Sequence, residues 1–326
     1  MKTASPVLFT SPYSKKHDTG AGHPENTGRI VILEKLFAEA PFCNWPQVKS
    51  KPATLDQILL AHDEDYVFNL QDLTPDDNLR SLDGDTILCP DSYDAALYAA
   101  GAACQAVDHV LKEPNKRAFV AVRPPGHHAE PNTAMGFCLF NNIFIAARHA
   151  QIAHHIKKIA IVDYDVHHGN GTETMCRRHN TTHPDTPIFY TSSHGHPLFP
   201  MTGDPAKNDD TTLNIRLPDN CSSTEFRDLY EEQVFPALNN FAPDLLLLSS
   251  GFDAHRNDPL APINWETEDY AWLTTHLCAI ADKHANGQLV SILEGGYDLD
   301  SLKECVQTHL EDLAFTRMAS YKALEK

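Results

Sequence analysis

Asp165 and His167 stand two apart in the run Asp163-Tyr164-Asp165-Val166-His167-His168-Gly169-Asn170-Gly171, which closes an apolar stretch. In extended chain, residues two apart point to the same side, so the carboxylate and the imidazole can share one ion. A mixed Asp/His pair suits a borderline metal such as Zn²⁺ or Fe²⁺ better than a Ca²⁺ site, which wants oxygen alone. A catalytic metal also needs a third protein ligand and an open position. Asp253, in Ser250-Gly251-Phe252-Asp253-Ala254-His255, is the best candidate for that ligand.

Two adjacent histidines follow a rigid turn in Arg123-Pro124-Pro125-Gly126-His127-His128-Ala129-Glu130. Imidazole titrates near neutrality, so a loop-borne pair can supply a general base and a general acid. A third run, Leu293-Glu294-Gly295-Gly296-Tyr297-Asp298, offers a tyrosine O–H to a developing oxyanion, and its glycines let backbone approach a ligand closely. Each run alone has a plain reading: a chance D-x-H on a loop, two solvated histidines, a common Gly-Gly turn. Their weight comes from where they fall.

Continuous apolar runs at 118–122, 158–163, 188–192, 213–215, 244–249 and 288–293 read as strands covered on both faces. Amphipathic segments at 92–111, 142–154, 224–240 and 268–284 read as helices between them. The alternation implies βαβ units: an α/β chain with an open, mostly parallel sheet and helices on both faces. The polar and Gly-rich stretches 124–128, 165–171, 193–203, 250–258 and 294–297 fall just past strands. Ligands in such sheets bind outside the carboxyl ends of the strands, so these five loops are expected to converge on one pocket.

The remaining composition is that of a globular enzyme. The 326 residues are 42% hydrophobic and 21% charged, without a repeat or linker, and read as one domain over 1–326. A net charge of -18 argues against non-specific binding of nucleic acid or anionic membrane, and leaves a cationic substrate as a possible partner. The N-terminal apolar patch Val7, Leu8, Phe9 is too short for a secretory segment, and Leu245 to Leu248 is far short of a membrane span, so a cytoplasmic location is expected. Eight scattered cysteines read as reduced core thiols.

Together the five runs, RPPGHHAE, GFCLFNN at 136–142, DYDVHHGNG, SSGFDAH and EGGYDL, resemble in content and order the zinc-dependent histone deacetylase family. The class II and bacterial deacetylase-like branch is resembled most closely, from about His23-Pro24-Glu25 to about Leu310. The resemblance implies the arginase/deacetylase fold, with Zn²⁺ held by Asp165, His167 and Asp253. It implies His128 as general base and then acid, with His127 as its electrostatic partner held by Asp163, and Tyr297 on the carbonyl oxygen. Phe137 and Phe199 would line a narrow tunnel, with Gly136, Gly295, Gly296 and Leu260 also at the substrate. A structural K⁺ or Na⁺ would sit at Asp163 and Ser192 with main-chain oxygens of Asp165 and His167.

Two departures bear on activity. Asn170 replaces the Asp of class I members, so a neutral amide would orient His128; Tyr297 is a true tyrosine, so deacetylase activity is expected. Leu260, after Asn257-Asp258-Pro259, stands where polyamine-preferring eukaryotic relatives place an acidic gatekeeper, and the region before Gly28 lacks the long insertion by which bacterial acetylpolyamine enzymes restrict the tunnel. Both favour acetyl-lysine in a protein or peptide over an acetylpolyamine. Asp83 and Asp85 are the nearest candidates for the acidic residue that grips substrate backbone. Gly169 sits where a binuclear manganese ureohydrolase needs an Asp, and a mere acyl-lysine reader would not need every catalytic group. His154, His155, His179 and His183 read as solvated, and His255 as a rim residue. The sequence does not indicate an oligomeric state.

Overall fold

The apolar runs assemble because each offers bulky side chains to two sides at once. In the computed structural model, which describes residues 5–114 and 116–314, eight strands form one sheet. They are β1 (Val7–Thr10), β2 (Gln47–Lys49), β5 (Arg117–Ala121), β6 (Ile159–Asp163), β7 (Ile188–Gly195), β8 (Thr212–Leu217), β9 (Leu245–Ser250) and β10 (Leu289–Leu293). Their order across the sheet is β2-β1-β5-β10-β9-β6-β7-β8, and every pairing is parallel. A small antiparallel ribbon, β3 (Arg80–Ser81) and β4 (Ile87–Leu88), lies apart from it. The alternation of the pleat divides the sheet between two cores: Leu246 and Leu248 of β9 face one, Leu245 and Leu247 the other.

Helices cover both faces. One core takes α1 (Gly28–Ala38), α7 (Ser223–Leu229), α8 (Phe235–Phe241), α9 (Thr267–His284) and α10 (Leu299–Ala314). The other takes α4 (Ser92–Val110), α5 (Asn142–His154) and α6 (Asn170–Thr182). A third cluster packs α2 (Leu55–Ile58) and α3 (Glu64–Leu73) against α4 and the segment carrying Leu139 and Phe140. No helix among the described residues is long and apolar enough to cross a membrane.

The structure departs from the sequence reading in instructive places. The patch Val7–Phe9 is strand β1, paired between β2 and β5, although four residues are too few to show a period. The helix expected over 224–240 is broken by a wide π-type turn at Tyr230–Val234, just before Pro236. Proline has no N–H to give and its ring crowds the preceding turn, so the helix widens there. Helix α6 was not expected, because among its thirteen residues only Met175 and Cys176 are apolar and buried. All eight cysteines are unpaired, but Cys43 is exposed rather than in the core.

Candidate active site

The loops after β5, β6, β7, β9 and β10 converge beyond the carboxyl edge of the sheet, as the strand order requires. There a pocket of about 270 Å³ is lined by Asp85, His128, Gly136, Phe137, His167, Leu198, Phe199, Leu260 and Tyr297. Among the expected site residues, Asp165, Asp253 and Asn170 lie behind this lining and meet it through hydrogen bonds, His127 meets it through its ring against His128, and Asp163 lies one step further back, bonded to His127. Asp85, one of two candidates for the backbone grip, lines the pocket, whereas Asp83 accepts from the backbone of Asp85 and Thr86 within its own turn.

Asp165, His167 and Asp253 place one candidate ligand atom each within 4.8 Å of one another. His167 Nδ1 lies 3.2 Å from Asp165 Oδ1 and 3.1 Å from Asp253 Oδ2. Backbone N–H groups aim the carboxylates: Gly295 donates to Asp165 Oδ2 at 2.7 Å, His167 to Asp165 Oδ1 at 2.9 Å, and Val166 to Asp253 Oδ1 at 2.9 Å. Gly295 must be glycine, because a Cβ there would stand 2.2 Å from Asp253 Oδ2 and 2.5 Å from Asp165 Oδ2. Burial and the neighbouring Asp165 push Asp253 up to about 7. Burial opposes charge on His167, but hydrogen bonds to Asp165 and Asp253 lift it to about 10. Two buried carboxylates thus crowd a single proton on one imidazole nitrogen. That donor set fits a divalent borderline cation, which would take the proton's place.

Beside it lies the histidine pair, its rings 3.9 Å apart. His127 Nδ1 donates to Asp163 Oδ2 at 3.0 Å. Against the cost of burial, Asp163 and Asp165 raise His127 to about 10, so it carries the charge. His128 is held well below the usual imidazole range by burial first and then by His127. Its Nδ1 lies 2.9 Å from Asn170 Oδ1. The Asn170 amide donates to Glu130 Oε1 at 2.6 Å, which leaves its oxygen as the acceptor. His128 therefore keeps its proton on Nδ1 and a lone pair on Nε2. Gly136, at φ +54°, lies so close that a Cβ would come 2.4 Å from the His128 ring.

Tyr297 is half-buried, with its ring 5.9 Å from that of Phe137 and the Arg29 guanidinium 5.0 Å from its centre. Burial, with Asp165 and Asp253 nearby, keeps its hydroxyl protonated far above neutrality. Phe199 packs edge-on against His128 at 5.1 Å. Its loop is anchored at the base by His168 Nδ1 to Thr202 (2.7 Å) and His194 Nε2 to the Gly203 carbonyl (3.1 Å). Asp163 and Ser192, in register across β6 and β7, are already engaged: Asp163 with His127 and Tyr190, Ser192 with His194.

Sequence reasoning missed the residues that brace these groups. Glu294 accepts from the backbone of Gly126 (2.7 Å) and His127 (3.2 Å), tying the β10 turn to the histidine turn. Asp258 accepts from the Tyr297 backbone at 2.7 Å. Arg29 donates to the carbonyls of Glu294 and Gly296, and its other end meets Glu25, which also binds Arg123. Charged residues opening two of the apolar-flanked runs, Arg123 and Glu294, were the available signal. Two histidines were misread: His179 is buried against the Thr186 carbonyl, and His255 is buried against β-bridge partner Trp265 rather than on the rim; His154 is partly exposed, as expected, and pairs with Asp108.

A family model described as the histone deacetylase domain matches residues 23–313. The chain is 40% identical over 306 residues to a chloroplastic histone deacetylase 14 of Arabidopsis thaliana, covering 87% of this chain and 71% of that one. It is 33% identical over 325 residues to a histone deacetylase-like amidohydrolase of Pseudomonas aeruginosa, covering 97% and 84%. A crystal structure of the HDA15 HD domain superposes with a TM-score of 0.85 at 28% identity, covering 96% of this chain and 88% of that one.

Proposed function

The chain belongs to the histone deacetylase family, and on that footing we propose that it hydrolyses the amide of acetylated lysine in proteins or peptides, with zinc as its catalytic metal. The observation that carries this reading is that His128, His167 and Tyr297 line one pocket, with the two carboxylates and His127 directly behind them. Asp165, His167 and Asp253 would hold the zinc, which when bound supplies a Lewis acid and acidifies water at neutral pH.

The chain's own residues do the rest. His128 Nε2, unprotonated at neutral pH, accepts the proton of the attacking water and then delivers it to the departing lysine amine as the C–N bond breaks. His127, charged and paired with Asp163, places positive charge beside the growing negative charge and keeps His128 neutral before reaction. Asn170 fixes the tautomer that makes this exchange possible. Tyr297 donates to the carbonyl oxygen as it takes on charge. Phe137, Phe199 and Leu260 exclude water from the aliphatic stem, with Gly136 giving room, and Asp85 of the same lining would take a substrate N–H; Gly295 and Gly296 lie outside that lining, Gly295 against the two carboxylates. A K⁺ or Na⁺ at Asp163 and Ser192, and a single catalytic domain over the whole chain, belong to the same proposal.

Apolar Leu260 at the pocket supports a peptide over a free polycation. The test is turnover of an acetyl-lysine peptide beside acetylated putrescine and spermidine, with and without a zinc chelator. Chelator-sensitive turnover of the peptide, and little of the polyamines, is expected. Preference for a polyamine would overturn the substrate reading, and chelator-insensitive turnover would overturn the metal.

A further inference from the structure

A second convergence of metal-ligating side chains lies at the opposite edge of the sheet from the pocket. Helices α4 and α5 pack together and lead into the amino ends of β5 and β6. At their carboxyl ends, His149 Nε2 lies 2.8 Å and His154 Nε2 2.7 Å from the same oxygen, Asp108 Oδ1. The three candidate ligand atoms fall within 4.8 Å of one another. His155 adopts a left-handed conformation that ends α5 immediately after His154.

We propose that Asp108, His149 and His154 form a second divalent-metal site that clasps α4 to α5. Two imidazoles and one carboxylate suit zinc or a neighbouring ion such as Co²⁺ or Ni²⁺, and supply too few oxygens for Ca²⁺ or Mg²⁺. The side chains are 42%, 13% and 29% exposed for Asp108, His149 and His154, which shelters the ligands yet leaves an open side for water. The site shares no residue with the catalytic pocket, so its effect is on metal uptake and stability rather than turnover.

The test starts from full-length protein stripped of metal and reloaded with one equivalent of zinc, at which peptide turnover reaches its plateau. Calorimetric titration with further ZnCl₂ or NiCl₂ should show a second equivalent, with Tm rising with metal concentration. Asp108→Asn and His154→Gln should each keep the first equivalent and full turnover but lose the second equivalent and the Tm rise. Because His154 ends its helix, the counted equivalents remain readable even if a variant melts earlier. A wild type that takes only one equivalent, or variants that still take two, would overturn the site.

Discussion

Replacing Tyr297 by Phe removes a single O–H and little else. The ring stays between Phe137 at 5.9 Å and the Arg29 guanidinium at 5.0 Å, and the backbone N–H keeps its 2.7 Å bond to Asp258, so the pocket wall should survive. Among the described residues lining the pocket, Tyr297 has the only hydroxyl. The wild-type group is fully protonated in any practical assay, so the variant loses a donor and not a charge. A donor aimed at a developing oxyanion contributes ~3 kcal/mol, roughly two powers of ten in rate. The amide oxygen in the ground state carries much less charge, so binding should change little. We therefore expect Tyr297→Phe to lower kcat about a hundredfold on an acetyl-lysine peptide with KM within about threefold. Steady-state kinetics on metal-loaded protein, with metal content measured in parallel, would check this. A variant with near-normal kcat, or one whose loss lies entirely in KM, would refute the oxyanion role.

Gly295→Ala should destroy metal retention, because the new Cβ falls 2.2 Å from Asp253 Oδ2; zinc content after desalting, compared with an unchanged circular dichroism spectrum, reads this directly. Leu260→Glu should shift the ratio of kcat/KM toward acetylspermidine by about fivefold, since a carboxylate near a cationic amine contributes about 1 kcal/mol; an unchanged ratio would show that Leu260 is no gate. Glu25→Gln tests the brace around the tyrosine turn. Burial works against its charge, but Arg123 and Arg29 hold Glu25 down at about 2, from 4.5. Its contribution is therefore present above about pH 4.5 and lost as pH falls toward 2, amounting to about 3 kcal/mol. The variant should melt well below wild type at neutral pH, and the gap should close as pH is lowered through that window. A gap independent of pH would show that Glu25 acts only by packing.

The sheet was legible because parallel strands buried on both faces leave continuous apolar runs, and six such runs became β5 to β10 with ends shifted by a few residues. What escaped was short or polar: β1 and β2 are too brief for periodicity, and α6 is held by its position behind the pocket rather than by an apolar stripe. At the site, groups carried by local runs were legible, since D-x-H, His-His and Gly-Gly-Tyr each declare their chemistry in adjacent residues. The bracing groups were not. Glu294 works on a turn 167 residues away, and Arg29 on a carbonyl 267 away, separations that only the folded sheet brings together.

The strand order also sets a timetable for assembly. β10 is the last strand among the described residues, yet it lies in the middle of the sheet, hydrogen-bonded to β5 on one side and β9 on the other. During synthesis both of those strands must wait with an open, apolar edge until β10 leaves the ribosome, and Glu25 cannot gain its Arg29-linked anchor at Gly296 any sooner. Nascent chains ended before residue 289 should consequently be captured by chaperones or aggregate instead of forming a smaller stable unit. Commitment to the native sheet therefore waits on β10, however early the other strands emerge.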